Sequence, residues 1–158
     1  MKNLDYEYSF NIIGFQDIKD FENKHSIQLP NEYKQFLMFK NGGRTEQRRF
    51  TTNDATKKGK ITSSVSMFFP LSKENEVNIE EKFEGYNLTR IVPSNLFPIA
   101  LDPVQGLICL SIEGEDEGSV YHCDMDYFDE DNELRKEYIR LISKSFTEFL
   151  DGLSIPAE

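Results

Sequence analysis

Apolar positions recur along this chain at two intervals, and the switches between them mark its elements. From Gln16 to Lys24, Ile18 and Phe21 stand three apart among polar residues, which predicts one face of a short helix. Gly14 or Asp17 is placed to cap it. The stretch from Ile27 to Gly43 predicts a second helix with both ends marked. Leu29 precedes a proline and is biased toward extended backbone. Pro30 suits the first helical position, where its missing N–H costs nothing. Glu32 then lies at the positive end of the helix dipole. Tyr33, Phe36 and Leu37 form one apolar face. After Lys40, Asn41-Gly42-Gly43 is expected to stop the helix, since Asn or Gly readily takes the left-handed conformation of a helix end.

Elsewhere the pattern changes to that of strands. Residues 1–14 read as an extended lead-in, and Arg48 to Thr52 as a short strand. Ser63 to Leu71 is β-branched and aromatic, a strand that ends at Pro70. Asn75 to Leu88 predicts a helix with Val77, Ile79, Phe83 and Tyr86 on its apolar side. Leu96 to Ala100 reads as a strand and Asp102 to Gly106 as a turn. Leu107 to Ile112 is almost continuously apolar, as a strand covered on both faces should be. Val120 to Cys123 returns after the loop Glu113 to Gly118, so Leu107 to Asp124 predicts an antiparallel hairpin. Finally, Leu134, Tyr138, Leu141, Ile142, Phe146, Phe149 and Leu150 predict one amphipathic helix that stops near Gly152. The order of elements predicts an α+β fold over residues 1–158, a mainly antiparallel sheet with helices packed against it.

Length and composition fit one domain with a proper core: 158 residues, 38% hydrophobic and 13% aromatic. No apolar run reaches the roughly 18 residues of a spanning helix, so no membrane partner is expected. The opening MKNLDYEYSF lacks the apolar core of a secretory signal, and a cytoplasmic location is the expectation. Two cysteines make no disulfide framework; Cys109 and Cys123 read as reduced thiols, with Cys109 filling core.

Charge changes the picture more. The net charge is −10, yet the imbalance is local. Between Ile91 and Leu134 there is no Lys or Arg, and eleven acids, including Asp102, fall in that window. The remainder of the chain has 17 acids against 18 bases. Such a block repels nucleic-acid phosphates and attracts a basic partner. The candidate binding residues are Glu113, Glu115, Asp116, Glu117, Asp124, Asp126, Asp129, Glu130, Asp131 and Glu133. The hairpin is expected to expose the loop acids and to join them with the run from Asp124 in one negative surface. The competing reading is an acidic loop that serves solubility alone. The basic stretch from Arg44 to Lys60 lacks the glycine spacing of a phosphate-binding loop and reads as solvated.

Chemistry-bearing residues are sparse. The only histidines are His25, at a helix end and expected to face solvent, and His122. His122 and Cys123 are adjacent in a strand, so their side chains point to opposite faces and cannot form a thiol–base pair. No C-x-x-C or H-x-x-x-H spacing favours zinc. Asp124-x-Asp126 opens like a calcium loop, but the sixth and twelfth positions are Asp129 and Arg135 where Gly and Glu are required. No catalytic residue, cofactor or metal ligand set is therefore assigned, and no enzyme is expected.

One pattern carries a resemblance. Leu29-Pro30, Tyr33, Phe36-Leu37 and Asn41-Gly42-Gly43 follow a helix containing Ile18 and Phe21-Glu22. Later come Leu96 to Ala100, Gly106 with Leu107 to Ile112, Gly118 to Tyr121, and Ser145 to Leu150. In that order and spacing the chain resembles the SUKH superfamily from about Ile18 to Leu153. That group includes yeast cell-wall assembly regulators and many bacterial immunity proteins. The resemblance implies an α+β fold and an immunity protein that binds a cognate toxin domain, a nuclease being the class whose basic cleft clustered carboxylates would occupy. The alternative is a non-catalytic regulatory or scaffold module of the kind the cell-wall assembly regulators suggest.

Overall fold

A seven-stranded antiparallel sheet organises the protein, in the order β1-β2-β5-β6-β7-β8-β9. These are β1 (Tyr6–Phe10), β2 (Asn41–Thr45), β5 (Met67–Phe68), β6 (Leu96–Leu101), β7 (Leu107–Ser111), β8 (Val120–Cys123) and β9 (Ile139–Ser143). A smaller two-stranded sheet pairs β3 (Arg49–Thr51) with β4 (Thr62–Ser64). The structure is a computed structural model that describes residues 3–52, 59–127 and 133–156. Its α+β architecture is the one the order of apolar patterns predicts.

Two helices near the N-terminus pack on the sheet through aromatic side chains. In α1 (Phe15–His25), Ile18 and Phe21 are buried, and Asp17 Oδ2 accepts the Gly14 N–H at the N-terminus, 2.8 Å. In α2 (Asn31–Phe39), Tyr33, Phe36 and Leu37 are buried as their spacing predicts. Pro30 sits one position before the helix. The ring of Phe97 on β6 lies 6.0 Å from Phe21 and 6.2 Å from Tyr33, both edge-to-face, a favoured aromatic geometry. Buried Glu22 ties the two helices: its Oε2 accepts the Leu29 N–H at 2.7 Å and lies 3.6 Å from Lys34 Nζ.

Asn41-Gly42-Gly43 differs from its reading as a helix stop. The backbone is already extended at Lys40, and the three residues begin β2. Gly42 and Gly43 have φ of +67° and +117°. A Cβ on Gly42 would stand 2.6 Å from the Phe68 carbonyl oxygen, and one on Gly43 would overlap the Tyr8 backbone. Glycine is needed because β1 and β5 press on β2 from both sides.

The C-terminal stretch also departs from its periodicity. In place of one helix there is a 3₁₀ turn (Lys136–Tyr138), then β9, then α4 (Phe146–Asp151). Arg140 and Ile142 alternate inward along β9, which pairs with β8. Ser145 is the signal that a new helix starts there: its Oγ accepts the Glu148 N–H at 3.0 Å. Phe146, Phe149 and Leu150 then bury one side of α4, with Phe146 meeting Tyr33 and Phe36.

Two middle elements are shorter than their patterns predict. Ser63 to Leu71 breaks into β4 and β5. Asn75 to Leu88 contains only α3 (Ile79–Lys82) and a π-helical turn (Phe83–Asn87). Asn78 caps α3 by accepting the Glu81 N–H, 2.8 Å.

Candidate functional site

The β7–β8 hairpin supplies the most clearly built part of the acidic region. Its loop is fastened by the one acid that turns inward. Asp116 Oδ1 accepts the Ser111 hydroxyl at 2.7 Å and the Asn95 amide at 3.4 Å. Asp116 Oδ2 accepts the Tyr121 phenol at 2.6 Å. Backbone bonds close the same loop: Gly118 N–H donates to Ser111 O at 2.8 Å and Ser119 N–H to Asp116 O at 2.9 Å. With Asp116 held this way, Glu113, Glu115 and Glu117 are exposed. Asp116 is thus a half-buried anchor, a correction to the expectation that the loop acids face water together. A carboxylate this close to three donors is stabilised by charge-assisted hydrogen bonds.

The acids of the following run are distributed differently. Asp124 is half-buried with its Oδ2 3.8 Å from Arg140 Nη1, and Arg140 also donates from Nε to Gly59 O at 2.8 Å. Asp126 and Glu133 are exposed. Asp129, Glu130 and Asp131 lie outside the described residues. Register separates the start of this run, Asp124, from the loop. Leu110 pairs with Val120 and Leu107 with Cys123, so the loop and Asp124 occupy opposite ends of β8. The five residue steps of extended chain from Ser119 to Asp124 span roughly 16 Å. The strand therefore holds Asp124 itself apart from the loop, a correction to the expectation that the hairpin brings it close. Asp102 leaves the acidic surface altogether: it is 3% exposed and bonded to His122.

The other polar residues find structural partners. His122 Nε2 lies 2.7 Å from Asp102 Oδ2, while Cys123 on the opposite face lies 3.9 Å, sulfur to sulfur, from Cys109. Burial pushes the Cys109 thiol well above its ordinary pKa, away from the thiolate that nucleophilic chemistry needs. In the basic stretch, Arg44 and Arg48 pair with Glu7 on β1, at 2.8 and 3.6 Å. His25 is not the solvent-facing residue that its helix-end position predicts. Its side chain is only 9% exposed, and its Nε2 lies 3.0 Å from Glu80 Oε2. His25 and Glu80 are 55 residues apart, and no local pattern joins them.

Residues 14–152 match the family model described as SMI1 / KNR4 family (SUKH-1). The chain belongs to this family. The match covers α1 through α4 and contains the whole hairpin. Family membership is compatible with both immunity proteins and cell-wall regulators, and it points to protein–protein interaction as the mode of action. The family is generally non-catalytic. No curated protein matches the chain. Among the described residues, no helix is long and apolar enough to cross a membrane.

Proposed function

We propose that this SUKH-family protein is an immunity protein that acts in the cytoplasm by binding a basic toxin domain and blocking its active site. The observation that carries the reading is the hairpin loop, where Asp116 is locked by Ser111, Asn95 and Tyr121 so that Glu113, Glu115 and Glu117 project from a fixed frame. The base-free window from Ile91 to Leu134 leaves no nearby cation from the same segment to neutralise them. A nuclease fits as the partner, because its cleft must attract phosphates and three carboxylates carried on a fastened loop present a similar charge. Fastening the loop backbone in the free protein lowers the ordering cost on association.

The test is stopped-flow association with the product of the neighbouring reading frame, across ionic strengths around the ~0.1 M at which the Debye length is about 10 Å. Changing Glu113, Glu115 and Glu117 together to Lys, with Asp116 retained, is expected to slow association at low salt by about tenfold or more. It should also flatten the salt dependence. Equal rates and slopes for the two proteins would place the interface elsewhere. A neighbouring toxin that neither binds nor is neutralised would favour the regulatory or scaffold role of the family.

A further inference from the structure

Away from the hairpin, three donor groups from separate turns of chain converge beside α1. His25 is the last residue of α1, Glu80 lies in α3, and Glu84 lies in the following π-helical turn. One ligand atom from each lies within 4.8 Å of the others. The imidazole is already fixed. Its ring centroid is 4.8 Å from that of Phe21 and 4.9 Å from that of Phe83, and its Nε2 is 3.0 Å from Glu80 Oε2. Glu80 and Glu84 are four residues apart, where like charges on a helical surface repel. Among the described residues, the lysine that pairs with Glu80 is Lys24, at 3.2 Å from its other oxygen, and that lysine is 55% exposed. A screened ion pair of this kind contributes little.

The geometry points to a binding site for one zinc-like divalent cation, held by His25, Glu80 and Glu84. Imidazole with two carboxylates suits a borderline transition-metal ion, whereas Mg²⁺ and Ca²⁺ prefer oxygen alone. Zinc bonds of about 2.0–2.2 Å place tetrahedral ligands roughly 3.4 Å apart. The His25–Glu80 pair, at 3.0 Å, reaches that spacing by opening about 0.4 Å, and exposed Glu84 closes in by a side-chain rotation. Three protein ligands leave at least one coordination position open. Glu80 and Lys24 also line a cavity of about 440 Å³ shared with Asp17 and Asp20, so the ion would sit at its rim. In binding, the cation takes the Oε2 side of Glu80, competes with Lys24 on Oε1 for the same negative charge, and supplies the charge that the two carboxylates lack.

The experiment is calorimetric titration of the full-length protein with Zn²⁺, alongside the ¹⁵N resonances of the His25 ring. Wild type is expected to bind one equivalent with a shift at His25 Nε2. Glu84→Gln should weaken binding at least tenfold, and it is the decisive variant because Glu84 is exposed while His25→Gln also removes packing between two phenylalanines. Lys24→Gln should tighten binding severalfold, since the competing cation is gone; a purely structural ion pair gives no such gain. Binding by Glu84→Gln equal to wild type, an unmoved His25 resonance, or no one-equivalent binding would each overturn the site.

Discussion

His122 Nε2 and Asp102 Oδ2 meet at 2.7 Å beneath the surface, joining β8 to the turn that follows β6. The same carboxylate accepts the Val104 and Gly106 N–H groups at 2.8 and 2.7 Å. Burial acts to raise the Asp102 pKa, but the hydrogen bonds from His122, Gly106 and Val104 outweigh it and hold the group below its ordinary value. A depressed folded-state pKa contributes stability that is present above the unfolded value of about 3.9 and is lost as pH falls through the lower folded value. Asp102→Ala leaves buried donors without a partner and is expected to cost about 3–5 kcal/mol at neutral pH. Urea unfolding at pH 7 and near pH 3 measures this: the gap between wild type and variant should narrow in acid.

The glycine pair of β2 predicts a contrast. Gly43→Ala should lose more than about 3 kcal/mol or fail to fold, because the new methyl meets the Tyr8 backbone at a φ that disfavours it. Gly85→Ala is the control, since a Cβ there meets nothing within 4 Å and the backbone is helical. It should be neutral or stabilising by up to about 1 kcal/mol. Thermal melts of the two variants check both signs.

Leu37 is 1% exposed in α2, and Leu37→Ala is expected to cost about 2–5 kcal/mol. Ser145→Ala removes only the cap of α4 and should cost about 1 kcal/mol. Equal denaturation midpoints for wild type and Leu37→Ala would refute the burial of that face.

Tyr121→Phe deletes the 2.6 Å bond to Asp116 without changing charge. Hydrogen bonds to charged groups contribute about 1.5–3 kcal/mol. The expected result is a looser hairpin loop, read as faster amide hydrogen exchange at Gly118 and Ser119. Exchange in β2, remote in the sheet order, should be unaffected.

Much of the fold is legible in the order of the residues because burial follows local period. The face of Tyr33, Phe36 and Leu37 and the hairpin of β7 and β8 emerge from spacing alone. The departure from helical periodicity near the C-terminus has a physical origin. Leu134 to Leu150 shows three- and four-residue intervals that suit a helix, yet Ile139–Ser143 is drawn into the sheet by pairing with β8, a tertiary effect that local periodicity lacks. The Ser145-x-x-Glu148 capping signature marks the true helix start. Of the candidate interface, exposure of Glu113, Glu115 and Glu117 is readable from their polar loop. The inward turn of Asp116 is not, because Asn95 and Tyr121 reach it from other elements.

The separation imposed by β8 also constrains how mutational effects combine. Groups more than about 7–10 Å apart without shared partners behave independently, and the loop glutamates and Asp124 stand at opposite ends of the strand. A partner that touches both ends has a two-footed footprint, so losses in binding free energy from Glu115→Ala and Asp124→Ala add with a coupling within about 0.5 kcal/mol. A partner seated on one end alone leaves the other single variant silent. A double-mutant cycle across β8 therefore acts as a ruler for the footprint, needing no structure of the complex.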